Sequence, residues 1–270
     1  MTSIHNQLGM NQLYYEKLCT YTRLPFELII IDNASTDGSR EFFQAQPHVH
    51  VISHEANYNY PYCQNRGIEA AKYDILCFLN NDLIVSPHWD QRLVEFIKHH
   101  PNVEVLSVAT NDHIETKEAQ RKLHRRWKRI KYLVQYVAGN RKMSLEWMHK
   151  LMYRDWEAFT DNRFQHWRFQ SIEGYSGSAI MMQRKALEKV GMWDERIQAG
   201  DFDLFNRVKK RSLSHGDIKP VQLILGVYFH HYQRLTMKAA YPPFQNKDQM
   251  IRLEDKWGNE TEDLRRDIKG

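Results

Sequence analysis

Short apolar runs alternate along the chain with amphipathic stretches. Residues 26–31 (FELIII), 49–53, 75–79 (ILCFL), 103–109 and 221–229 (VQLILGVYF) are mostly apolar on consecutive positions. Strands buried on both faces have that pattern. Helical periodicity fills the intervals at 11–22, from a polar turn to about 45, at 62–72 and at 87–100; in the last, Trp89, Leu93, Phe96 and Ile97 share one face. The order β-α-β-α-β-α-β predicts an α/β fold, a central and mainly parallel sheet flanked by helices. The first strand is predicted to be very short, because Thr2-Ser3-Ile4-His5-Asn6 reads as its last turn running into a polar loop.

Residues 113–170 break this rhythm. Leu123, Trp127, Ile130, Val134 and Val137 are spaced 4, 3, 4, 3, a helical stripe. The segment predicts a helical insertion packed over one end of the sheet. Strand and helix patterns then return: a glycine-marked turn at 174–178 into a strand, a short helix at 184–190, a helix opening at Gly200-Asp201 and running to about 210, and the strand at 221–229. A charged helix is predicted in the tail beyond 241.

Four polar clusters fall at strand ends or helix starts: Asp32-Asn33, Asn80-Asn81-Asp82, Asp201 and His230-His231. Open α/β sheets bind ligands at the carboxyl ends of their strands. The apolar run 75–79 stops on two amides and a carboxylate, and Asp82 there can seat a hard divalent cation holding phosphates. Each cluster also has a plain structural reading. Asp32, Asp201 or Asp203 can cap a helix, and paired histidines at a strand end are commonly surface residues.

Charge changes the picture in one place. Ten Lys or Arg against Glu118 give residues 117–142 a charge of +9, leaving −4 for the rest of a chain whose net charge is +5. The basic character belongs to the insertion. It is open to four readings: a packed amphipathic helix pair, peripheral contact with an anionic membrane, recognition of an anionic or protein acceptor, or self-association. No groove-reading motif accompanies the charge, so nucleic acid is not an expected partner. Cys19, Cys63 and Cys77 have no zinc-type spacing and are expected to be reduced thiols. No run approaches the ~20 apolar residues of a membrane span, and the N-terminus lacks a signal-peptide pattern. Those features predict a cytoplasmic protein, with membrane contact limited to the inner face.

The motifs FELIIIDNASTDGS (26–39), Asn65-Arg66-Gly67-Ile68, FLNND (78–82), GYSGSAIMMQRKALEKVGMWDE (174–195), GDFDL (200–204) and FHH (229–231) occur in this order. In them the chain resembles the family-2 glycosyltransferases of GT-A fold, in their non-processive, rhamnosyltransferase-like branch. The resemblance covers residues 2–236 apart from the insertion. It implies one GT-A domain over 1–240, with a nucleotide-sugar-binding half (1–112), the insertion (113–170), an acceptor and catalytic half (171–240), and a tail (241–270).

The resemblance also implies roles. Thr2, Ser3 and His5 would line the nucleotide base and Asp32, with Asn33 beside it, would hydrogen-bond it. Asn57 and Asn65 would border the pocket. Asn80-Asn81-Asp82 would be the DxD-like motif with Asp82 the metal-binding carboxylate, joined by one of His230 and His231. Asp201 would be the catalytic base of an inverting transfer. The cofactor would be Mn2+ or Mg2+, and the donor a UDP- or dTDP-sugar. The acceptor would be a glycan, a lipid-linked molecule or a protein, as in polysaccharide biosynthesis. Two positions depart from the family pattern: Asn80 stands where Asp is frequent, and Gly200 where Glu precedes the base. The Gln-x-x-Arg-Trp motif of processive synthases is absent, which favours transfer of one sugar. The alternatives are a catalytically inactive sugar-nucleotide or glycan-binding module of the same fold, and a nucleotidyltransferase, whose glycine- and lysine-rich phosphate loop is missing here.

Overall fold

The computed structural model describes residues 1–139, 141–233, 235 and 242–265. Its first half is a run of parallel crossovers. Strands β1 (Thr2–Ile4), β2 (Leu28–Asn33) and β3 (Val49–His54) pair in parallel in that order. Helices α1 (Leu8–Tyr21), α2 (Ser39–Gln44) and α3 (Tyr60–Ala70) make the connections. The short first strand is as the sequence predicts, and its neighbour Met1 ties it to β4 (Ile75–Leu79). The Met1 amine donates to the Cys77 carbonyl at 2.7 Å, and Leu79 N–H donates to the Met1 carbonyl at 3.1 Å. Those two bonds join the three-stranded sheet to a second, six-stranded one.

The second sheet runs β4-β8-β6-β9-β5, with β7 also on β9. Its members are β5 (Leu83–Ile84), β6 (Val105–Thr110), β7 (Ser171–Glu173), β8 (Ala179–Gln183) and β9 (Gln222–His231). Helices α4 (Trp89–His99), α5 (Lys117–Ala138), α6 (Lys142–Tyr153), α7 (Trp156–Trp167), α8 (Lys185–Val190) and α9 (Gly200–His215) are interspersed. Parallel pairing continues between β6 and β9, but β8 is antiparallel to β4 and β6, as β5 and β7 are to β9. The sheet is therefore parallel in its first half and mixed in its second. An apolar run announces a buried strand without its direction, so the pattern did not reveal this turn.

Three apolar clusters hold the layers. One lies between the sheet and α1 and α4, around Tyr14, Leu93, Phe96 and Phe229. A second lies on the other face under α3, α8 and α9, around Phe78, Trp193, Phe205 and Val208. The third joins the insertion to the sheet end through Trp127, Met148, Trp156, Tyr228 and Tyr232. Of the predicted stripe on α5, Trp127 and Val134 are buried and Leu123 and Ile130 half-buried, while Val137 is 73% exposed. The tail packs back on α9: α10 (Leu253–Trp257) sends Trp257 Nε1–H to Asp203, and α11 (Glu260–Arg265) follows. Among the described residues, no helix is long and apolar enough to cross a membrane.

Candidate active site

The carboxyl ends of β1, β2, β4, β6 and β9 converge, and the polar residues that stop those strands meet there. Asp82 follows β4 and begins the link to β5. Leu83 then pairs with His231 and Ile84 with His230. Because strand neighbours face opposite ways, only one histidine can turn toward Asp82, and it is His231. Its Nε2 lies 3.3 Å from Asp82 Oδ1. Its Nδ1–H donates to Asp112 Oδ2 at 3.0 Å. Asn111 clamps the same residue from the backbone, accepting from His231 N–H at 2.7 Å and donating to its carbonyl at 3.0 Å.

Burial alone would push the His231 imidazole down, but Asp82 and Asp112 flank it and hold it well above its ordinary value. Burial likewise would raise Asp112; the charge of His231 and the hydroxyl of Thr110 hold it well below the usual carboxylate range. His230 is turned into the insertion. Its Nδ1 shares a hydrogen bond with Tyr153 Oη at 3.0 Å, and Trp127 and Tyr232 meet its ring edge-on. Full burial, with the nearby His149 and His231, pushes its pKa well below the ordinary value.

The Asp82–His231 pair fits a divalent cation. Asp82 Oδ1 is buried without a hydrogen bond, and His231 Nε2, the nitrogen facing it, would ligate a cation on giving up its proton, with Nδ1–H still held by Asp112. A carboxylate behind the far nitrogen is the common way to orient a ligating histidine. Among the described residues, no group of three or more His, Cys, Asp or Glu could hold a metal ion. With two protein ligands, a hard cation would draw its remaining oxygens from a diphosphate.

Asn81, which precedes Asp82, lines a cleft of about 270 Å³ together with Ser3, Ile4, His5, Asn33, Asn57, Tyr58, Tyr60, Gln198 and Phe244. Five predicted residues thus share it. His5 Nδ1–H donates to the Asn33 carbonyl at 2.5 Å, Asn57 donates to the Pro242 carbonyl, and Asn81 donates to Asn11 on α1 at 2.7 Å. Tyr58 stacks on Tyr62, their ring centroids 4.2 Å apart. The Tyr60 hydroxyl is buried and without a hydrogen bond.

Three predicted residues stand behind the cleft as braces. Thr2 is buried against the Tyr14 hydroxyl at 2.7 Å. Asp32 is fully buried and bound by Arg40 Nε–H at 2.7 Å. Asn65 spends its amide on Trp193 and Glu195, pinning the loop before α9. Asn80 is half-exposed, and its backbone N–H donates to Ser178.

Asp201 lies in the first turn of α9 and lines a second, larger cavity of about 700 Å³. Asp203, two residues on, is buried and bound by Arg207, Lys256 and Trp257, so it serves the fold. Two tightly packed glycines adjoin Asp201, Gly177 against its carboxylate and Gly200 before it in the chain. A Cβ on Gly177 would lie 1.9 Å from Asp201 Oδ2. A Cβ on Gly200 would lie 2.8 Å from Pro61 and 3.1 Å from the Trp193 ring. The position where the family pattern has Glu is therefore packed shut here.

Sequence reasoning missed Asp112 and Asn111, although an apolar strand stopping on Thr110-Asn111-Asp112 carries the same signal as FLNND. It also missed Tyr60, Gln198 and Gly177, whose roles depend on contacts that no local pattern announces.

The fold is similar to that of a crystal structure of GalNAc-T7 with UDP, GalNAc and Mn2+, with a TM-score of 0.57 at 12% identity, over 90% of this chain and 44% of that one. It is of the GT-A class. A structure of the mannosyltransferase PcManGT from Pyrobaculum calidifontis in complex with GDP-Man and Mn2+ gives a TM-score of 0.48 at 14% identity, over 82% and 55% of the two chains. Over 76 residues the chain is 38% identical to the uncharacterized glycosyltransferase YibD of Escherichia coli (strain K12), a stretch making up 27% of this chain and 22% of that protein. Residues 3–191 match glycosyl transferase family 2, and the chain belongs to that family.

Proposed function

We propose that this protein is a metal-dependent, inverting glycosyltransferase that moves one sugar from a UDP- or dTDP-sugar to a hydroxyl of a glycan, lipid-linked or protein acceptor. The observation that carries the reading is the arrangement of three groups: a cleft lined by Asn81, the Asp82–His231 pair that begins at the next residue, and Asp201 in a separate cavity. The donor's nucleotide lies in the cleft, its base against Ser3, His5 and Asn33, with Asp32 and Asn65 fixing the walls from behind. Asp82 and His231 hold Mn2+ or Mg2+. When bound, that cation supplies charge neutralisation to the diphosphate leaving group.

Asp201 takes the proton from the acceptor hydroxyl as its oxygen bonds to the anomeric carbon. The bond from that carbon to the diphosphate oxygen breaks, and the nucleoside diphosphate leaves with the electron pair. Attack from the side opposite the leaving group inverts the anomeric centre. Asp112 holds His231 in orientation, and Gly177 lets Asp201 reach the cavity. Activity in the cytoplasm, in polysaccharide assembly, is the setting this chemistry suits.

The test is a panel of sugar nucleotides with Mn2+, following nucleotide release and the anomeric configuration of any product. Turnover by the wild type that Asp201→Asn abolishes supports the reading. Donor binding without turnover or hydrolysis would instead assign a binding module.

A further inference from the structure

The large cavity holding Asp201 has an unbalanced wall. Lys117, Arg121 and Arg125 recur every four residues on α5 and all line it, with His113 and His124 between and beside them. None of the three cations is paired with a carboxylate among the described residues. Of the two carboxylates in the lining, Glu173 is already bound by Lys209 at 2.7 and 2.8 Å, and Asp201 is the proposed base. The apolar part of the lining is supplied by Tyr175, Phe202, Ile114, Ile172 and Leu223.

We propose that this wall binds a phosphate group carried by the acceptor, close to the hydroxyl that Asp201 deprotonates. A carboxylate would balance one of the three cations. A phosphate carries ~1.5–2 charges at neutral pH and offers three acceptor oxygens, which the guanidinium forks of Arg121 and Arg125 match in geometry. The proposal rests on the reading of Asp201 as the acceptor base.

Its test uses inorganic phosphate as the probe, with acetate as the control, titrated into the wild type with UDP and Mn2+ already saturating the other cleft. The expected result is saturable phosphate binding, stronger than acetate binding, and weakened by about tenfold or more in Lys117→Gln/Arg121→Gln/Arg125→Gln. Absence of phosphate binding, equal binding of acetate, or equal binding by the triple variant would overturn it. Donor hydrolysis, measured alongside, reports separately on the glycosyltransfer reading.

A different observation carries a second inference. Seven large apolar side chains of the α5–α6 hairpin are exposed: Tyr132, Leu133, Tyr136, Val137, Met143, Trp147 and Leu151. Tyr136 is 92% exposed. Lys122, Arg126, Arg129, Leu133 and Tyr136 are spaced 4, 3, 4, 3 along α5, a cationic stripe that turns apolar toward the hairpin tip. Met143, Trp147 and Leu151 recur every four residues on α6. The two helices pack together, and Arg126 donates to the Leu151 carbonyl between them. Aromatic and aliphatic side chains beside a row of cations are the pattern of a helix lying in a membrane interface.

We infer that this hairpin face docks on a membrane surface containing anionic lipid. Flotation with phosphatidylcholine vesicles, with and without phosphatidylglycerol, tests it on the full chain. The protein is expected to float with the anionic vesicles and to stay behind with the neutral ones. Leu133→Ser/Tyr136→Ser/Trp147→Ser and Lys122→Gln/Arg129→Gln should each reduce binding about tenfold or more. All the substituted side chains are exposed, so both variants keep the core. No flotation of the wild type, undiminished flotation of the variants, or a solution dimer that the apolar triple variant abolishes would contradict it, the last assigning the face to a second copy.

Discussion

His230 and His231 are neighbours on one strand and belong to different chemistries. His231 faces the strand ends, between two carboxylates that hold it toward the charged form. His230 faces the insertion, enclosed by Trp127, Tyr153 and Tyr232, where burial holds it neutral. A residue type at a strand end says little until its face is known. One face of β9 builds a polar site; the other is the floor of an aromatic layer that fastens α5–α7 to the sheet.

The largest effect is expected on the polar side. Asp201→Asn should lower turnover by ~10²–10⁴-fold, the usual worth of a general base, while leaving donor binding intact; steady-state rates beside a UDP titration check it. Gly177→Ala should cost ~10²-fold in turnover, because displacing a reacting group by about 1 Å can cost that much. A crystal structure of that variant should find the Asp201 carboxylate moved. Asp112→Asn should weaken Mn2+ binding by ~10–100-fold, the usual effect of removing the partner behind a ligating histidine, as read by a metal titration with UDP present.

The aromatic side should answer to acid instead. His149, 4.7 Å from Trp156 and 5.4 Å from His230 between ring centroids, is pushed down by burial to about 3. Between that value and the ordinary 6.5 the unfolded chain binds a proton that the folded chain refuses. Stability therefore falls as pH falls through that window. His149→Gln should flatten this dependence in a series of melting curves, with the smallest effect of the set at neutral pH.

Much of the site could be read from the sequence because its signals are local. FLNND shows a strand and its polar stop together, and GDFDL places Asp201 in a first helical turn. The faces of the histidines could not be read. Between β6 and β9 the register shifts: Val108 pairs with Ile224, but Ala109 pairs with Tyr228. The three extra residues are an odd number, so alternation counted through from the start of β9 loses its phase there. Gly226 sits in that irregularity, where a Cβ would lie 2.0 Å from the Arg168 carbonyl oxygen. The antiparallel entry of β8 was hidden for a similar reason, since apolar runs carry no direction. Asp32 and Asn65 stood out as polar residues near a ligand site, yet Arg40, Trp193 and Glu195 occupy them. Such partners, brought in from elsewhere in the chain, leave no mark beside the residue they bind.

Asp82 is expected to hold its cation with His231 and without His230. Mn2+ binding followed by electron paramagnetic resonance, with UDP present, tests it in three proteins. His231→Ala should lose most of the wild type's Mn2+ affinity, while His230→Gln should keep it and lose thermal stability. Equal Mn2+ affinity in His231→Ala and wild type, or loss of binding in a folded His230→Gln, would contradict it.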